Sequence, residues 1–553
     1  MKLPKNLLAQ NVIQLCKAKN IKHIVISPGS RNAPLTIGFT NHHYFKCYSI
    51  VDERSAAFFA LGIAQQLREP VALVCTSGSA LLNYYPAIAE AFYSDVPLVI
   101  LSADRPKHLI EIGDGQTINQ DKVFANHILY SANLIQEKQQ QNEIKINTAL
   151  NTCISQKGPV HINIPFEEPL YVTVDQFSIF PKPIESSIDK EPIELENLDQ
   201  YASTWKAAKQ KMVLVGVNLP NDIEQHYLDI LAKDESVIVF TETTSNLHHD
   251  NFFPSIDKII APLNDEEFKK LQPEILLTFG GMVVSKKIKA FLRDYQPKHH
   301  WHIDKKRAND TFFCLSAHFK SSVNDFFKAL FEKEYQIVSD YQSYWKHIKQ
   351  IRSRKHQNYL QDIPFSDFKV FDIILKSIPN QNMLQLGNSS TVRYAQLFDV
   401  NKTLKVFCNR GTSGIDGSTS TAIGAALVIK EHTTFVTGDL SFFYDSNALW
   451  NNYIPDNFRI IVINNDGGGI FRILPGDKNT KNFDTFFETK HNLNAKHLCN
   501  MYGFNYGAAS TETELVSALQ SFYTDDDQPK LLEIFTPRQL NDEILLNYFK
   551  AII

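Results

Sequence analysis

Two short polar segments have the residue types of a site for a divalent metal that carries a diphosphate. The first is Gly438-Asp439-Leu440 and the second is Asn464-Asn465-Asp466-Gly467. Asp439, Asn465 and the carbonyl group of Gly467 offer hard oxygen ligands, which Mg²⁺ prefers. Magnesium takes about six oxygens and commonly shares them among protein, water and substrate phosphates. Three protein oxygens would therefore leave positions for a diphosphate and for water.

The two segments must lie close together for this chemistry, and the pattern around them predicts that they do. Residues 434–437 and 459–463 are short, apolar and β-branched, which predicts buried strands, and residues 446–450 between them fit a crossover helix. In a β-α-β unit the strands run parallel, so their carboxyl ends meet at one edge of the sheet. Either segment alone could be an ordinary turn. The pair favours the metal site.

Other polar turns follow predicted strands in the N-terminal part. Residues 27–31 (SPGSR) offer backbone N–H groups and a guanidinium, although a plain turn with an exposed arginine fits equally well. Glu53 begins a helix of small apolar residues. It could favour the helix dipole or, beside so much apolar surface, be a functional carboxyl with a raised pKa. Weaker signals are residues 75–80 (CTSGSA), 102–106 (SADRP) and 113–117 (GDGQT).

Three glycine-containing segments add to the C-terminal part. Residues 387–393 end a predicted strand and open a helix, so backbone N–H groups could meet a phosphate or a carboxylate. Residues 409–417 form a loop before a small-residue helix at 418–428, and residues 466–471 place flexible backbone beside an apolar pair. An isoleucine in such a loop is more often plain packing than a cofactor contact. The candidate residues here are Gly387, Asn388, Ser389, Arg393, Arg410, Gly414, Ile415, Gly467, Gly468, Ile470 and Phe471.

The overall composition excludes several classes of protein. The net charge of −4 gives no basic excess of the kind that favours nucleic acid. Seven scattered cysteines without a Cys-x-x-Cys pair argue against a disulfide framework or a zinc site and fit a reducing cytoplasm. No run of about eighteen apolar residues predicts a membrane span, and the N-terminus lacks the pattern of a signal peptide. We expect a cytoplasmic protein that binds neither nucleic acid nor membrane.

The chain of 553 residues is too long for one core, and strands alternate with helical stretches in three blocks. This pattern predicts three α/β domains with parallel sheets, at residues 1–180, 195–335 and 365–553. A Pro- and acid-rich passage, residues 180–192, is typical of a linker. Residues 341–359 mix aromatic and basic side chains, for which a solvated helix face is favoured over a nucleic-acid patch. The similar first and third blocks indicate two related domains that flank another.

Taken in chain order, these motifs resemble those of the thiamine-diphosphate-dependent enzymes, whose diphosphate motif is GDG followed later by NN. More narrowly, SPGSRNAPL, VDERSAAFFALGIA, TSGSALLNYYPAIAEA, ADRP, NRGTSGIDG and GDLSFFYDSNAL are similar to segments of the menaquinone-pathway synthases that form 2-succinyl-5-enolpyruvyl-6-hydroxy-3-cyclohexene-1-carboxylate. The likeness is dense in the first and third blocks and thin in the second. Leu440 replaces the last glycine of the broad motif, as in the narrower family, and the inferred metal ligands are unchanged.

The resemblance implies a pyrimidine-binding domain, a central domain and a diphosphate-binding domain, with thiamine diphosphate and Mg²⁺ or Mn²⁺ as cofactors. It also implies a homodimer or a dimer of dimers, with each cofactor between the pyrimidine-binding domain of one subunit and the diphosphate-binding domain of another. Glu53 matches the catalytic glutamate that hydrogen-bonds the aminopyrimidine ring, and Ile415 matches the aliphatic residue that supports the bent cofactor.

The resemblance also assigns the remaining site residues. The implied metal ligands are Asp439, Asn465 and Gly467. The implied cofactor-binding residues are Glu53, Thr76, Ser77, Gly78, Gly387, Asn388, Ser389, Gly414, Ile415, Gly438, Asp439, Leu440, Ser441, Asn465, Gly467, Gly468, Ile470 and Phe471. The implied substrate-binding residues are Ser30, Arg31, Arg105, Gln116, Lys286, Ser389, Arg393, Arg410, Ile470 and Phe471.

The implied reaction is decarboxylation of 2-oxoglutarate and conjugate addition of the resulting succinyl carbanion to isochorismate. Both substrates are dicarboxylates, so the site needs fixed cations, preferably guanidinium groups that grip carboxylates with two hydrogen bonds. Four arginines meet this need and disfavour a first alternative, a related decarboxylase or carboligase that acts on a smaller 2-oxo acid. A second alternative is an inactive cofactor-binding regulatory protein, against which Glu53 and the metal motif argue.

Overall fold

Three parallel sheets organise the chain. The computed structural model describes residues 1–185, 198–332 and 335–553, so residues 186–192 of the expected linker lie outside the described residues. Within these ranges the chain forms a six-stranded, a five-stranded and a second six-stranded sheet, together with one antiparallel pair of two-residue strands. The α/β fold class predicted from the sequence is confirmed.

The first sheet is buried on both faces. Along its central strand, Leu73 packs into one hydrophobic cluster while Ala72 and Val74 pack into another, as expected of a parallel sheet covered on both sides. The strands of this part are β1 (Leu3–Pro4), β2 (His23–Ile26), β3 (Lys46–Ser49), β4 (Val71–Cys75), β5 (Leu98–Asp104), β6 (Tyr130–Asn133), β7 (Val160–Pro165) and β8 (Thr173–Val174). The helices are α1 (Leu7–Ala18), α2 (Ala33–Thr40), α3 (Glu53–Leu67), α4 (Ser79–Asn83), α5 (Tyr85–Tyr93) and α6 (Gln139–Gln156).

The second sheet has five parallel strands in the order β10-β9-β11-β12-β13. These strands are β9 (Lys211–Val215), β10 (Val237–Thr241), β11 (Ile275–Phe279), β12 (His299–Ile303) and β13 (Leu315–Phe319). The helices of this part are α7 (Leu198–Ala207), α8 (Gln225–Lys233), α9 (Ile256–Ile260), α10 (Asp265–Leu271), α11 (Lys286–Asp294), α12 (Val323–Leu330) and α13 (Tyr341–Asp362). The helix predicted at residues 341–359 is therefore confirmed.

The third sheet again has six parallel strands. They are β14 (Met383–Leu386), β15 (Lys405–Cys408), β16 (Thr433–Gly438), β17 (Phe458–Asn464), β18 (Asn505–Ala509) and β19 (Lys530–Phe535). The helices are α14 (Asp367–Ser377), α15 (Ser390–Ala395), α16 (Ser418–Val428), α17 (Asp439–Tyr444), α18 (Lys496–Tyr502), α19 (Glu512–Phe522) and α20 (Asn541–Ala551). No helix in the described residues has the length and apolar character needed to cross a membrane.

The first and third sheets share one topology. Their strand orders are β3-β2-β4-β5-β7-β6 and β15-β14-β16-β17-β19-β18, which coincide when the strands of each sheet are numbered along the chain. The expectation of two related units around another is confirmed at this level. The segment predicted as a crossover helix at 446–450 differs: a helix, α17, starts earlier at Asp439, and Ser446–Leu449 is a single 3-10 turn.

Helices α3 and α16 join the first and third sheets. A Cβ atom on Gly62 would lie 2.1 Å from the Thr421 carbonyl oxygen, and one on Gly424 would lie 2.0 Å from the Phe59 carbonyl oxygen. The two backbones therefore approach too closely for any side chain at these positions. This contact explains the small residues of both helices.

Candidate functional site: a metal and diphosphate edge with two arginine clusters

The predicted metal ligands meet at one edge of the third sheet. Strands β16 and β17 pair in parallel, with Gly438 opposite Ile463, so the segments that follow them emerge together. Asp439 is 3 % exposed, and one of its carboxylate oxygens accepts a hydrogen bond from the Gly467 N–H group at 2.9 Å. Gly467 has φ 148°, a backbone region in which non-glycine residues are strained.

Asn465 lies in the same turn with a defined amide orientation. Its Nδ2 donates to the Asp367 carboxylate at 2.9 Å, whereas its Oδ1 is buried and has no hydrogen-bond partner in the described residues. An unpaired buried carbonyl oxygen is costly unless a cation or a donor meets it. The donor set of carboxylate, amide oxygen and backbone carbonyl therefore fits Mg²⁺ or Mn²⁺.

Two residues at this edge carry no signal in the sequence. Asp367 opens helix α14, far from Asn465 along the chain. His491 Nε2 lies 3.2 Å from the same Asp439 oxygen that accepts the Gly467 N–H group, and its Nδ1 accepts the Leu493 N–H group, so Nε2 carries the proton. The hydrogen bond to Asp439 raises the pKa of His491. Neither residue follows a strand in a recognisable motif, so sequence reasoning missed both.

The loop at residues 409–415 lies against the turn after β14. Asn388 donates from Nδ2 to the carbonyl groups of Asn409 at 2.8 Å and Gly414 at 2.7 Å. The Ser441 hydroxyl, one turn into α17, donates to the Ile415 carbonyl group at 3.0 Å. Ile415 is thus tied to the helix that Asp439 begins. The structure brings the predicted cofactor residues of the C-terminal part together.

Arg410 and Arg393 form a pair of cations at this loop. Arg410 donates to Asn388 Oδ1 at 2.8 Å, and Arg393 donates to the Ser389 carbonyl group at 2.5 Å. Burial lowers the pKa of Arg393, and the charge of Arg410 lowers it further. Within the described residues neither guanidinium forms an ion pair with a carboxylate. A buried and a half-buried guanidinium, neither in an ion pair with a carboxylate, are the electrostatic pattern of an anion site.

The central domain touches this pair through the loop before α11. Met282 Sδ lies 3.8 Å from an Nη atom of Arg410. Lys286, the predicted substrate residue, is the first residue of α11 and is exposed. Lys289, which the sequence did not single out, is half-buried on the same helix; burial lowers its pKa, and Arg410 is among the cations that add to this effect. The helix thus directs further positive charge toward the arginine pair.

The apolar wall follows the metal turn. Ile470 and Phe471 lie in a 3-10 turn at Gly469–Ile473, and the Phe471 ring contacts Phe487 edge-on at 6.2 Å between centroids. Phe471 is 37 % exposed. The Gly468 N–H group donates to the Glu488 carbonyl group at 2.6 Å, which fixes the start of this turn. The pair therefore lies directly after the turn that carries Asn465 and Gly467.

A second set of predicted residues gathers at the edge of the first sheet. A Cβ atom on Gly29 would lie 2.4 Å from the Thr76 Cβ, and one on Gly78 would lie 3.2 Å from the Gln116 carbonyl group. The turns after β2 and β4 and the loop around Gln116 are therefore adjacent. The buried Gln120, which sequence reasoning missed, accepts the Gly78 N–H group at 2.9 Å.

Arg31 and Arg105 flank these turns. Arg31 is 4 % exposed and donates to the Phe166 carbonyl group at 3.0 Å and to Glu168 at 3.1 Å. Arg105 donates to the Gly115 carbonyl group at 3.0 Å. Each uses part of its guanidinium to fix its own position. The two remaining predicted substrate residues of this set, Ser30 and Gln116, are exposed.

Glu53 is the first residue of α3 and is half-buried. Burial raises its pKa, a backbone N–H group opposes that shift, and Asp52 adds to it. The neighbours of Glu53 bind the C-terminal part of the same chain: Asp52 accepts from Asn447 at 2.7 Å, and Arg54 donates to the Tyr444 carbonyl group at 2.7 Å. The carboxyl group combines a raised pKa with a fixed helix terminus, as a functional acid or base requires.

Buried polar atoms without partners concentrate in both sets. Among the described residues, those that belong to the predicted site are Arg31 Nε, Thr76 Oγ1, Ser77 Oγ, Arg105 Nε, Arg410 Nε and Asn465 Oδ1. Buried polar groups in proteins are normally hydrogen-bonded. These atoms fit polar ligands such as a diphosphate, a metal ion and carboxylates. Within the described residues no hydrogen bond or ion pair joins the N-terminal set to the C-terminal set.

Comparison with known proteins agrees with this arrangement. Residues 7–128 match the family model of the thiamine pyrophosphate enzyme N-terminal TPP binding domain, and residues 387–534 match that of the C-terminal TPP binding domain. These two ranges contain the N-terminal and C-terminal sets of site residues, except for Lys286.

Curated relatives extend over the whole chain. The chain is 58% identical over 547 residues to the 2-succinyl-5-enolpyruvyl-6-hydroxy-3-cyclohexene-1-carboxylate synthase of Flavobacterium psychrophilum, with 99% of each chain covered. It is 59% identical to the synthase of the same name from Christiangramia forsetii, again with 99% of each covered. The Porphyromonas gingivalis synthase is 38% identical over 98% of this chain and 96% of its own. The chain belongs to the 2-succinyl-5-enolpyruvyl-6-hydroxy-3-cyclohexene-1-carboxylate synthase family of thiamine-diphosphate-dependent enzymes.

Proposed function

We propose that this protein is a transferase of menaquinone biosynthesis that decarboxylates 2-oxoglutarate and adds the resulting succinyl unit to isochorismate, giving 2-succinyl-5-enolpyruvyl-6-hydroxy-3-cyclohexene-1-carboxylate. The observation that carries the proposal is the pair of the half-buried Arg393 and the buried Arg410, neither of which forms an ion pair with a carboxylate among the described residues. Two dicarboxylate substrates need such fixed guanidinium groups. A smaller monocarboxylate substrate would leave much of this charge unneutralised.

The residues of the metal edge would hold the cofactor. Asp439, Asn465 and the Gly467 carbonyl group would bind Mg²⁺ or Mn²⁺, and the turns at Gly387 and Gly438 would face the diphosphate. Bound there, thiamine diphosphate supplies the electron sink that decarboxylation of a 2-oxo acid requires. The remaining cofactor-binding and substrate-binding residues keep the roles that the family resemblance implies.

Each side chain has a task that follows from its surroundings. Glu53, with its raised pKa, would hydrogen-bond the pyrimidine ring and hold or pass a proton there. Arg31, Arg105, Arg393 and Arg410 would fix substrate carboxylates, which positions the reacting carbons and neutralises their charge. Ile470 and Phe471 would exclude water from the reacting atoms.

The assembly and location are proposed on separate grounds. We place the pyrimidine-binding, central and diphosphate-binding domains at residues 1–180, 195–335 and 365–553. A homodimer, or a dimer of dimers, would join the N-terminal set of one subunit to the C-terminal set of another. Exposed apolar side chains near both sets support an additional interface: Val51, Leu82, Tyr444, Phe471 and Phe486. The seven unpaired cysteines support a cytoplasmic location.

The direct test is turnover by the purified protein with thiamine diphosphate, Mg²⁺, 2-oxoglutarate and isochorismate, followed for carbon dioxide and for the adduct. We expect adduct formation, and much weaker turnover when pyruvate replaces 2-oxoglutarate. Absence of adduct, or equal turnover with pyruvate, would overturn the assignment.

Glu53→Gln provides the matching residue test. The amide cannot exchange a proton at this position, so we expect turnover to fall at least about a hundredfold. Binding of Mg²⁺ and thiamine diphosphate, measured by quenching of tryptophan fluorescence, should remain within about threefold because the diphosphate contacts are elsewhere. Unchanged turnover would remove Glu53 from its catalytic role.

A further inference from the structure

Glu90 is a buried carboxylate that the proposed roles leave unused. It lies on α5 in the N-terminal part of the chain and is 1 % exposed. Within the described residues it forms no ion pair with a cation. Burying an uncompensated carboxylate is costly, so its hydrogen-bond partners must account for its presence.

Those partners lie mostly on the loop that carries Arg410. One Glu90 oxygen accepts from the Gly411 N–H group at 2.6 Å and from the Ser94 hydroxyl at 2.9 Å. The other accepts from the Thr412 N–H group at 2.6 Å and from its hydroxyl at 2.8 Å. Charge-assisted bonds of this length are strong. Glu90 therefore ties the N-terminal part of the chain to the residues that directly follow Arg410.

Close packing accompanies these bonds. A Cβ atom on Gly411 would lie 2.5 Å from the Glu90 carbonyl oxygen and 2.7 Å from the Ser94 hydroxyl. The loop backbone thus rests directly on the C-terminal turn of α5. Only glycine fits at this position, which explains the glycine after Arg410 in NRGTSGIDG.

The other anchors of the loop act at its two ends. Asn388 holds the carbonyl groups of Asn409 and Gly414, and Ser441 holds that of Ile415. Glu90 holds the middle through N–H groups, which Asn388 and Ser441 do not reach. Ile415, the residue expected beside the cofactor, is therefore fixed independently of Glu90, whereas the backbone that directly follows Arg410 is held by Glu90.

The Glu90 carboxylate binds the backbone of the loop rather than the guanidinium of Arg410. A carboxylate that paired with the Arg410 guanidinium would compete with a substrate carboxylate. Glu90 instead spends its hydrogen-bonding capacity on backbone N–H groups, and the guanidinium contacts Asn388 Oδ1 and Met282 Sδ. The loop is held by a strong acceptor while its arginine keeps its charge for a ligand.

We propose that Glu90 is a positioning residue that fixes the Gly411–Thr412 backbone, directly after Arg410, so that Arg410 meets a substrate carboxylate. The inference rests on the proposed function in taking Arg410 as a substrate ligand. A misplacement of about 1 Å at such a contact can cost on the order of a hundredfold in catalytic efficiency. Glu90 acts through Arg410 and touches no reacting atom.

The test compares Glu90→Gln with Ser94→Ala and Arg410→Lys. The glutamine amide presents a donor to N–H groups that need an acceptor, so the loop loses part of its anchor. Arg410→Lys first identifies the substrate whose KM depends on Arg410. We expect Glu90→Gln to raise the KM for that same substrate at least about tenfold, while the dissociation constant for thiamine diphosphate stays within about twofold. Ser94→Ala, which removes a bond to the same carboxylate from outside the loop, should leave both values near those of the wild type.

Hydrogen–deuterium exchange gives a measurement that does not depend on turnover. The amides of Gly411 and Thr412 should exchange faster in Glu90→Gln than in the wild type or in Ser94→Ala. If the cofactor dissociation constant and the melting temperature change while the KM does not, Glu90 is a structural contact only and the proposal is overturned. If the wild type does not turn over this substrate pair, the proposed function fails, and the hydrogen–deuterium exchange of Glu90→Gln is the remaining test. Faster exchange at Gly411 and Thr412 supports the role of Glu90 in holding the loop, and unchanged exchange overturns it.

Discussion

Asp367 shows how one buried side chain can determine what a metal ligand presents. Its Oδ2 accepts from Asn465 Nδ2 at 2.9 Å, and its Oδ1 accepts from the Thr536 hydroxyl at 2.6 Å. This bond fixes the orientation of the Asn465 amide, whose Oδ1 is left buried and without a partner in the described residues. An amide that turned the other way would present N–H groups to a cation, so the orientation determines whether the site binds metal at all.

Replacement of Asp367 should therefore weaken metal binding. Asp367→Leu keeps the shape but removes the acceptor, and we expect the affinity for Mg²⁺ in the presence of thiamine diphosphate to fall on the order of tenfold to a hundredfold. Asp367→Asn, which can still offer an oxygen to Asn465, should recover most of that loss, and Thr536→Val should change little. Fluorescence titration with Mg²⁺ measures this, and equal affinities in the Leu and Asn variants would contradict the orienting role.

At the scale of the element, the start of α11 depends on Glu242, a buried residue that directly follows strand β10. Glu242 accepts from the N–H groups of Val284 at 2.7 Å and Ser285 at 2.8 Å, and the Ser285 hydroxyl caps the Ile288 N–H group at 3.1 Å. This arrangement fixes the first turn of the helix that carries Lys286. Burial raises the pKa of Glu242 to about 7, the two N–H groups oppose that shift, Asp257 adds to it and Arg410 lowers it.

The raised pKa of Glu242 predicts a pH dependence of stability. The folded protein keeps this proton up to about pH 7, whereas the unfolded chain loses it near the ordinary glutamate pKa of 4.5. The folded state binds more protons between these values, and the free energy of unfolding must therefore fall as the pH rises through this window. The contribution of one such group is on the order of 3 kcal/mol.

The glutamine in Glu242→Gln cannot ionise, so the free energy of unfolding of this variant should lack the pH dependence that Glu242 contributes. We expect the stability advantage of the wild type over this variant to shrink as the pH rises from about 4.5 to about 7, and to stay constant above it. Melting temperatures of both proteins across this range measure the effect. Glu224→Gln alters an exposed carboxyl group of the same domain. Its melting temperature should change with pH in the same way as that of the wild type. If the melting temperature of Glu242→Gln also changes with pH as that of the wild type does, the prediction is wrong.

At the scale of the whole molecule, the site residues fall into two sets on different sheets. Glu53, Arg31 and Arg105 lie at the edge of the first sheet, and Asp439 and Arg410 lie at the edge of the third or in its loops. The close packing of α3 against α16 fixes how these sheets sit within one chain. A second copy of the chain could bring its own N-terminal set to the C-terminal set of the first, which the proposed dimer requires.

Complementation tests this arrangement. Glu53→Gln and Asp439→Ala should each be nearly inactive alone. If each site uses Glu53 from one chain and Asp439 from another, randomly mixed dimers contain sites with both residues intact, about a quarter of the total. Co-expression should then restore about a quarter of the wild-type activity. As a control, Asp439→Ala with Asn465→Ala should restore none, since both changes lie in one set; absence of rescue by the first pair in verified mixed dimers would place each site within one chain.

Much of the fold was predictable because its signals are local. The predicted strands at residues 434–437 and 459–463 are short β-branched runs with turn residues at their ends, and the small-residue stretch at residues 418–428 forms a helix with those bounds. One segment that differs from the prediction is 446–450, where the chain forms its helix earlier, from Asp439. The sequence pattern at Asp439 and Leu440 indicates a turn. A helix can also begin there, because the two residues directly follow a parallel strand at the sheet edge.

The site residues that the sequence predicts also have a local signal: they directly follow strands or lie in glycine-containing loops. Asp367, His491, Gln120 and Glu90 do not. Each is an ordinary polar residue on a helix or in a loop, and each acquires its role from a partner distant in the sequence. No spacing rule connects Asp367 with Asn465 or Glu90 with Gly411.

The sequence by itself determined the chemistry: one carboxylate, one amide and a glycine turn for a metal, a glutamate at a helix start, and four arginines for dicarboxylates. These are properties of residue type and of position relative to a strand end, which local interactions control. Only the tertiary structure decided how the Asn465 amide is oriented, which carboxylate holds the Arg410 loop, and that Arg393 and Arg410 lie close enough for their charges to interact. Orientation and electrostatic surroundings arise from packing between distant segments, and such packing leaves no local pattern in the sequence.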